Sequence, residues 1–173
     1  MFDRVELEAE LLDLLRPGAV RRVELDLPQP PLGMGGQTYV VEPASPHASL
    51  ELQGVPGGVY LKLRFEADVR GTCYRCLEDA AVHVSIAAAE YHEPAGGEEL
   101  RSDYVEADEL DAERWARDAL VFALPQKILC RPECAGLCPR CGVRLEQGEE
   151  HRCGEEEADP RWEKLRSWRE SGV

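Results

Sequence analysis

The seven cysteines are the residues of this chain whose spacing points most directly to chemistry. Five lie in residues 130–153, CRPECAGLCPRCGVRLEQGEEHRC; Cys73 and Cys76 form a CYRC pair more than fifty residues upstream. Thiolates two or three residues apart can grip one metal ion, because a tight turn brings both sulfurs to one side. Gly136, Gly142 and Gly154 stand beside these pairs, where such turns need positive φ. The chain opens MFDR, with no basic stretch leading into an apolar run, and has no apolar stretch of about twenty residues. The expectation is a reducing cytoplasm with no export signal and no membrane span. In that setting CxxC spacing means metal or redox chemistry more often than structural disulfides.

Seven cysteines do not divide into fours, and His151 is the natural eighth ligand. One economical partition gives two zinc sites. Site A is Cys73, Cys76, Cys130 and Cys134. Site B is Cys138, Cys141, His151 and Cys153, a compact ribbon with CPRCG as its knuckle. Both tetrads are closed, which points to structural rather than catalytic Zn2+. Four thiolates would leave site A at about −2 with its metal, and three thiolates with an imidazole would leave site B at about −1. A single zinc on Cys130, Cys138, Cys141 and Cys153, with Cys134 spare, is the alternative.

These residues need elements to position them. Residues 6–16 have helical spacing through Leu7, Leu11, Leu14 and Leu15, stopped by Pro17 and Gly18. A strand is expected over 20–27 and a loop over 28–36, where Gly35 and Gly36 lack any Walker pattern. Short extended pieces follow at 39–41 and 48–55. The clearest alternation comes next: Val59, Leu61, Leu63, Phe65, Ala67 and Val69 face one way, with charged residues interleaved. A further strand is expected over 80–91, with Val82, Val84, Ile86 and Ala88 inward and His83 solvated. Cys73 and Cys76 then sit at a β-hairpin tip. A thioredoxin-type pair opens a helix whose N-terminus lowers a thiol pKa; strand flanking strand lacks that device and favours metal.

Residues 92–109 read as a mobile, acidic, solvated loop. A helix is expected over 108–124, capped by Asp108, with Trp115, Ala119, Phe122 and Ala123 packing on the sheet and Pro125 ending it. The tail DPRWEKLRSWRE suggests a last helix with Trp162, Leu165 and Trp168 on one side. The reading is α+β: a curved or barrel-like antiparallel sheet with one main helix and a C-terminal zinc ribbon. Its parts are 1–128, a ribbon over 129–156 packed on it, and 157–173.

Net charge is −14 over 173 residues. Residues 90–118 hold eleven acidic and three basic residues, a net of −8, whereas residues 130–173 carry ten and eight. Such a chain does not neutralise phosphates broadly, so non-specific nucleic-acid binding is disfavoured and a basic partner protein is easier. There is no nucleophile elbow, HExxH or distinct carboxylate pair, so no catalytic residues and no small-molecule substrate are expected.

In order, the chain shows a strand ending CYRCL, an acidic stretch, a helix ending ALP, then CxxxCxGLCPxCG and DPRW before a last helix. This resembles the YceD family, the large ribosomal RNA subunit accumulation proteins, over most of the chain beyond residue 20. The resemblance implies a bacterial cytoplasmic, non-catalytic protein of large-subunit biogenesis, supporting synthesis, processing or accumulation of large-subunit (23S) rRNA. Many relatives look like CGxNLN after the knuckle and end in CxC. Here Arg144 and Glu146 stand at the two Asn positions and His151 at the first late cysteine. The expected partners are large-subunit rRNA or a pre-ribosomal particle and a basic ribosomal protein. Glu98, Glu99, Asp103 and Glu106 would face protein; Arg140, Arg144, Trp162 and Trp168 would face RNA or an rRNA-bound protein. A zinc-ribbon docking adaptor in transcription or translation is the second reading.

Overall fold

The computed structural model describes residues 5–6, 17–106, 109–146 and 151–153. The chain divides into two compact units, Met1–Cys134 and Ala135–Val173. The first unit is mostly antiparallel sheet with one helix, an α+β arrangement. Its strands are β1 (Val5–Glu6), β2 (Val20–Asp26), β3 (Leu32–Met34), β4 (Gln37–Glu42), β5 (His47–Val55), β6 (Gly58–Thr72), β7 (Asp79–His92), β8 (Val105–Glu106) and β9 (Glu109–Leu110), followed by α1 (Ala112–Ala123).

Strand β6 is the spine: it is fifteen residues long and alternates without a break from Val59 to Arg70. β7 pairs along one side of it from Val59↔His92 to Thr72↔Asp79. On the other side β5 pairs with its first half and β4 with its last part. β2 pairs with β5 and β3 with β4, so the order is β2-β5-β6-β4-β3 with β7 joined to β6. No pairing among the described residues closes this sheet; β1, β9 and β8 form a separate small sheet. The predicted apolar face of β6, from Val59 to Val69, is buried throughout, and Leu50, Leu52 and Leu27 join it. On β7 only Val84 and Ile86 of the four expected inward residues are fully buried; Val82 and Ala88 are half-buried. His83 is exposed, with its Nδ1 2.9 Å from Asp68 on the paired strand.

Several expectations change. The loop over 28–36 contains β3, which meets β4 through a two-residue turn with Gly35 at φ 59 and Gly36 at φ 78. Two positive φ angles in a two-residue loop match the twist of the flanking strands, and two glycines allow it. The described residues of the acidic stretch 92–109 form local structure. Glu98–Leu100 forms a 3-10 turn, the Ser102 N–H donates to His92 Nδ1 at 3.3 Å, and β8 pairs with β9. That pairing keeps Glu109 and Leu110 extended, so the helix starts at Ala112 and not near residue 108. Its cap is Asp111, whose Oδ1 accepts from the Arg114 N–H at 3.0 Å. Leu124 is extended (ψ 141), as a residue before proline must be, and the helix ends there. Glu6 lies in β1, while the rest of the expected helix over 6–16, Asp108 and the tail with Trp162, Leu165 and Trp168 lie outside the described residues.

Gly71 sits where β6 passes Tyr39, whose buried hydroxyl donates to the Thr72 carbonyl at 3.0 Å. A Cβ at Gly71 would lie 2.4 Å from the Tyr39 ring. Replacing Gly71→Ala is therefore expected to cost about 1–3 kcal/mol by overpacking. Chemical denaturation checks this, and an unchanged midpoint would show that the ring yields.

Candidate metal centres

The hairpin of β6 and β7 turns at residues 73–78. The Cys73 N–H donates to the Glu78 carbonyl at 2.7 Å, and the Leu77 N–H to the Cys73 carbonyl at 3.1 Å. The Arg75 N–H points at Cys73 Sγ, 3.4 Å away. After α1 the chain returns to this tip. The Tyr74 N–H donates to the carbonyl of buried Ile128 at 2.9 Å, and Arg75 Nη1 donates to the Cys134 carbonyl at 2.7 Å. Lys127 lies over the Tyr74 ring, 5.0 Å from its centroid. These contacts bring Cys130 and Cys134 onto Cys73 and Cys76. Cys73–Cys134 Sγ atoms are 3.8 Å apart and Cys76–Cys130 Sγ atoms 3.5 Å.

The second unit repeats the turn. The Cys138 N–H donates to the Val143 carbonyl at 2.7 Å and the Gly142 N–H to the Cys138 carbonyl at 2.9 Å, the same two bonds at the same offsets. Leu137 bridges Arg144, and Leu145 donates to Gly136 at 2.9 Å. His151 Nε2 lies 3.2 Å from Cys141 Sγ and 3.0 Å from Cys153 Sγ, and Cys153 Sγ lies 3.1 Å from Cys138 Sγ.

The donor atoms within each group lie within 4.8 Å of one another. For tetrahedral zinc with Zn–S of about 2.3 Å, sulfurs stand about 3.8 Å apart. Site A matches this spacing closely, and site B is a little contracted. Four sulfurs, or three sulfurs and an imidazole, are donor sets that suit zinc, which would supply a cross-link with no position left open. Cys73, Cys76, Cys130 and Cys134 would hold one ion; Cys138, Cys141, His151 and Cys153 would hold the other.

The thiols are electrostatically unequal. Burial pushes the Cys73 thiol up, but backbone N–H groups of Cys76, Cys130 and Arg75 outweigh it and bring it down to about 6. The Cys138 thiol is likewise lowered to about 6, by the Cys141 backbone, the Cys153 thiol and the Arg140 backbone. Burial and the neighbouring thiols push Cys130 up to about 12, and Cys138 and Cys141 push Cys153 up to about 12. In each cluster the first cysteine of the knuckle is the thiol held low.

One participant is not obvious from the spacing of cysteines alone. Leu77 has φ 63, the left-handed conformation that Gly142 takes with φ 72 at the matching place. Gly136 is also positive, at φ 84, while Gly154 lies outside the described residues. Superposing CYRCL on CPRCG would have flagged Leu77, since the residue after the second cysteine must be left-handed in both. Leu77 is 58% exposed, so it gains little burial in return for that strain. Leu77→Gly should raise stability by about 0.5–1 kcal/mol. Gly142→Ala, whose Cβ meets nothing within 4 Å, should cost about 1 kcal/mol from backbone strain alone. Opposite signs in thermal melts are the expected result; equal signs would count against the shared turn.

The proposed contact residues are placed as follows. Glu98 and Glu99 are exposed in the 3-10 turn, and Asp103 and Glu106 are exposed beyond it. Arg140 and Arg144 are exposed in the second unit, with Arg144 Nε 3.3 Å from Glu146. No helix among the described residues is long and apolar enough to cross a membrane.

A family described as the large ribosomal RNA subunit accumulation protein YceD matches residues 61–167, a stretch that contains all eight donors. Similar curated proteins include the uncharacterised Rv2926c of Mycobacterium tuberculosis H37Rv and Mb2951c of Mycobacterium bovis, each 35% identical over 87% of this chain and 74% of the relative. The uncharacterised ML1660 of Mycobacterium leprae is 28% identical over 87% of this chain and 71% of its own length. No solved structure matches. The chain belongs to the YceD family, the large ribosomal RNA subunit accumulation proteins.

Proposed function

We propose that this protein is a non-catalytic, zinc-stabilised factor in biogenesis of the bacterial large ribosomal subunit, acting in the cytoplasm to support synthesis, processing or accumulation of 23S rRNA. The observation that carries this reading is the family match over 61–167, which spans both four-donor clusters. Closed tetrads serve architecture: they fix the hairpin tip and the ribbon as surfaces and leave no site for an activated water.

The acidic side of the first unit would meet a basic ribosomal protein through Glu98, Glu99, Asp103 and Glu106. Charge of this density gives fast, salt-sensitive association with a Lys- and Arg-rich surface and repels bare RNA. Contact with rRNA, or with a protein bound to it, falls to Arg140, Arg144, Trp162 and Trp168, where the sequence is nearly neutral and bases can stack on indole rings.

Capture with tagged protein from bacterial lysate tests this. Pre-ribosomal particles carrying large-subunit rRNA should be recovered. Reversing Glu98, Glu99, Asp103 and Glu106 to lysine should weaken capture and flatten its salt dependence. Recovery of RNA polymerase without ribosomal particles would favour the docking-adaptor reading. Full capture by the reversed variant, with loss on Arg140→Glu and Arg144→Glu, would reduce the acidic residues to a solvating role.

A further inference from the structure

Among the described residues, β7 presents a long unpaired strand edge. β6 takes one side of all fourteen of its residues, and no described strand takes the other. Free edges are usually blunted by proline, charge or a covering element. Residues 84–89, VSIAAA, contain neither proline nor charge.

A groove of about 550 Å3 lies beside this edge, and residues 85–90 all line it. Successive strand side chains point to opposite faces, so a depression over one face would be lined by alternate residues. Six consecutive residues place the groove along the edge itself, where backbone N–H and C=O groups are presented. The alanines at 87, 88 and 89 leave that backbone accessible. The facing wall is one stripe of α1, Trp115, Ala119, Phe122 and Ala123, at i, i+4, i+7 and i+8 spacing. Phe122 is 86% exposed, a large apolar ring left in water next to an unused strand edge.

Charge selects the occupant. Glu90 lines the groove, and Asp118 on α1 accepts from the Tyr104 hydroxyl at 3.2 Å. Burial raises the Tyr104 pKa, and the Asp118 and Glu90 carboxylates raise it further, so both lie close to that ring. Arg114 also approaches the ring, at 5.6 Å from its centroid, while its Nη1 donates to the Asp103 carbonyl. The surrounding segment 90–118 keeps a net charge of −8. Edge-to-edge pairing of two copies would set two such segments against each other. A strand carrying lysine or arginine would meet the same edge with attraction.

We propose that the β7 edge and the facing stripe of α1 bind an extended, lysine- or arginine-bearing segment of a protein partner, which adds to the sheet as a strand. Backbone hydrogen bonds to β7 would give affinity, an apolar side chain would pack on Phe122, and cations would reach Glu90 and Asp118. The proposal rests on the assembly reading above for the source of the segment, a basic ribosomal protein, but not for the groove.

The test uses the full chain and three soluble peptides: alternating lysine and valine, the same peptide fully N-methylated, and alternating glutamate and valine. The lysine–valine peptide should slow amide exchange across residues 85–90 by about tenfold or more, and the other two should not. Phe122→Ser and Glu90→Lys should each weaken binding by about tenfold. Phe122 is so exposed that its replacement removes no core contact, and circular dichroism checks that both variants fold. Equal binding of the N-methylated peptide, or binding with unchanged exchange at 85–90, would overturn the proposal. So would a concentration-dependent dimer abolished by Phe122→Ser, since a second copy would then occupy the edge. If particles are captured equally by wild type and both variants while no peptide protects β7, the groove is wrong and the assembly reading stands. If the peptide pairs with β7 but no ribosomal particle is ever captured, the groove stands and its partner lies elsewhere.

Discussion

Replacing Cys76→Ala or Cys134→Ala is expected to release the same single zinc equivalent and to lower the melting temperature of the Met1–Cys134 unit by roughly 10 °C. The two residues come from opposite sides of a long excursion, with a sequence separation of 61 from Cys73 to Cys134 and of 54 from Cys76 to Cys130. A metal joining them closes a loop of that length, and closing long loops removes much of the freedom of the unfolded chain. The segment returning after α1 meets the hairpin tip through the Tyr74 and Arg75 hydrogen bonds, the Lys127–Tyr74 contact and the Cys130 N–H at Cys73 Sγ. Three of the four sulfurs are buried, so an apo site also leaves thiols packed together with no shared cation. A shift of this size is what a domain of this length shows when a strongly bound ligand is withdrawn. Metal analysis of each variant, paired with thermal melts, gives the answer. If Cys76→Ala kept all its zinc while Cys134→Ala lost one equivalent, the two would not share a site.

The second cluster should respond independently. Cys141→Ala is expected to release the other zinc and disorder residues 135–153 while leaving the melt of the first unit unchanged, because all four donors of site B lie within the Ala135–Val173 unit. His151→Ala should weaken zinc binding at this site by about 100-fold or more, and His151→Cys should restore it. The reason is geometric: His151 Nε2 stands 3.2 Å from Cys141 Sγ and 3.0 Å from Cys153 Sγ, so it occupies a corner of the tetrad. A thiolate can take that corner, and an alanine cannot. Competition against a chromophoric chelator measures the affinity. Full affinity in His151→Ala would remove the histidine from the ligand set and leave site B with three thiolates.

Removing metal with a chelator should then act in two steps. Site B, where Cys141 and His151 are exposed, should lose its ion first; site A, where Cys73, Cys76 and Cys134 are buried, should lose its ion later. A single step would mean that the two clusters open together.

What could be read from the sequence alone was local. Cysteine spacing, CPRCG and an alternation running from Val59 to Val69 each concern residues within a turn or a strand, where side-chain direction follows from backbone period. That is why the β6–β7 hairpin and its CxxC tip were legible, and why His151 was the natural candidate for an eighth donor. The helix start was not legible. Asp108 looks like the cap, and only the pairing of β8 with β9 holds Glu109 and Leu110 extended and passes the cap to Asp111. The acidic stretch looked like a plain loop for a similar reason: composition cannot show that the Ser102 N–H will find a buried histidine ten residues earlier. Leu77 hid because no propensity puts leucine at positive φ; the knuckle imposes it. The β7 edge that no described strand pairs was hidden too. An edge is a property of strand order, and order is set by which faces the whole sheet buries, which no single stretch of residues records.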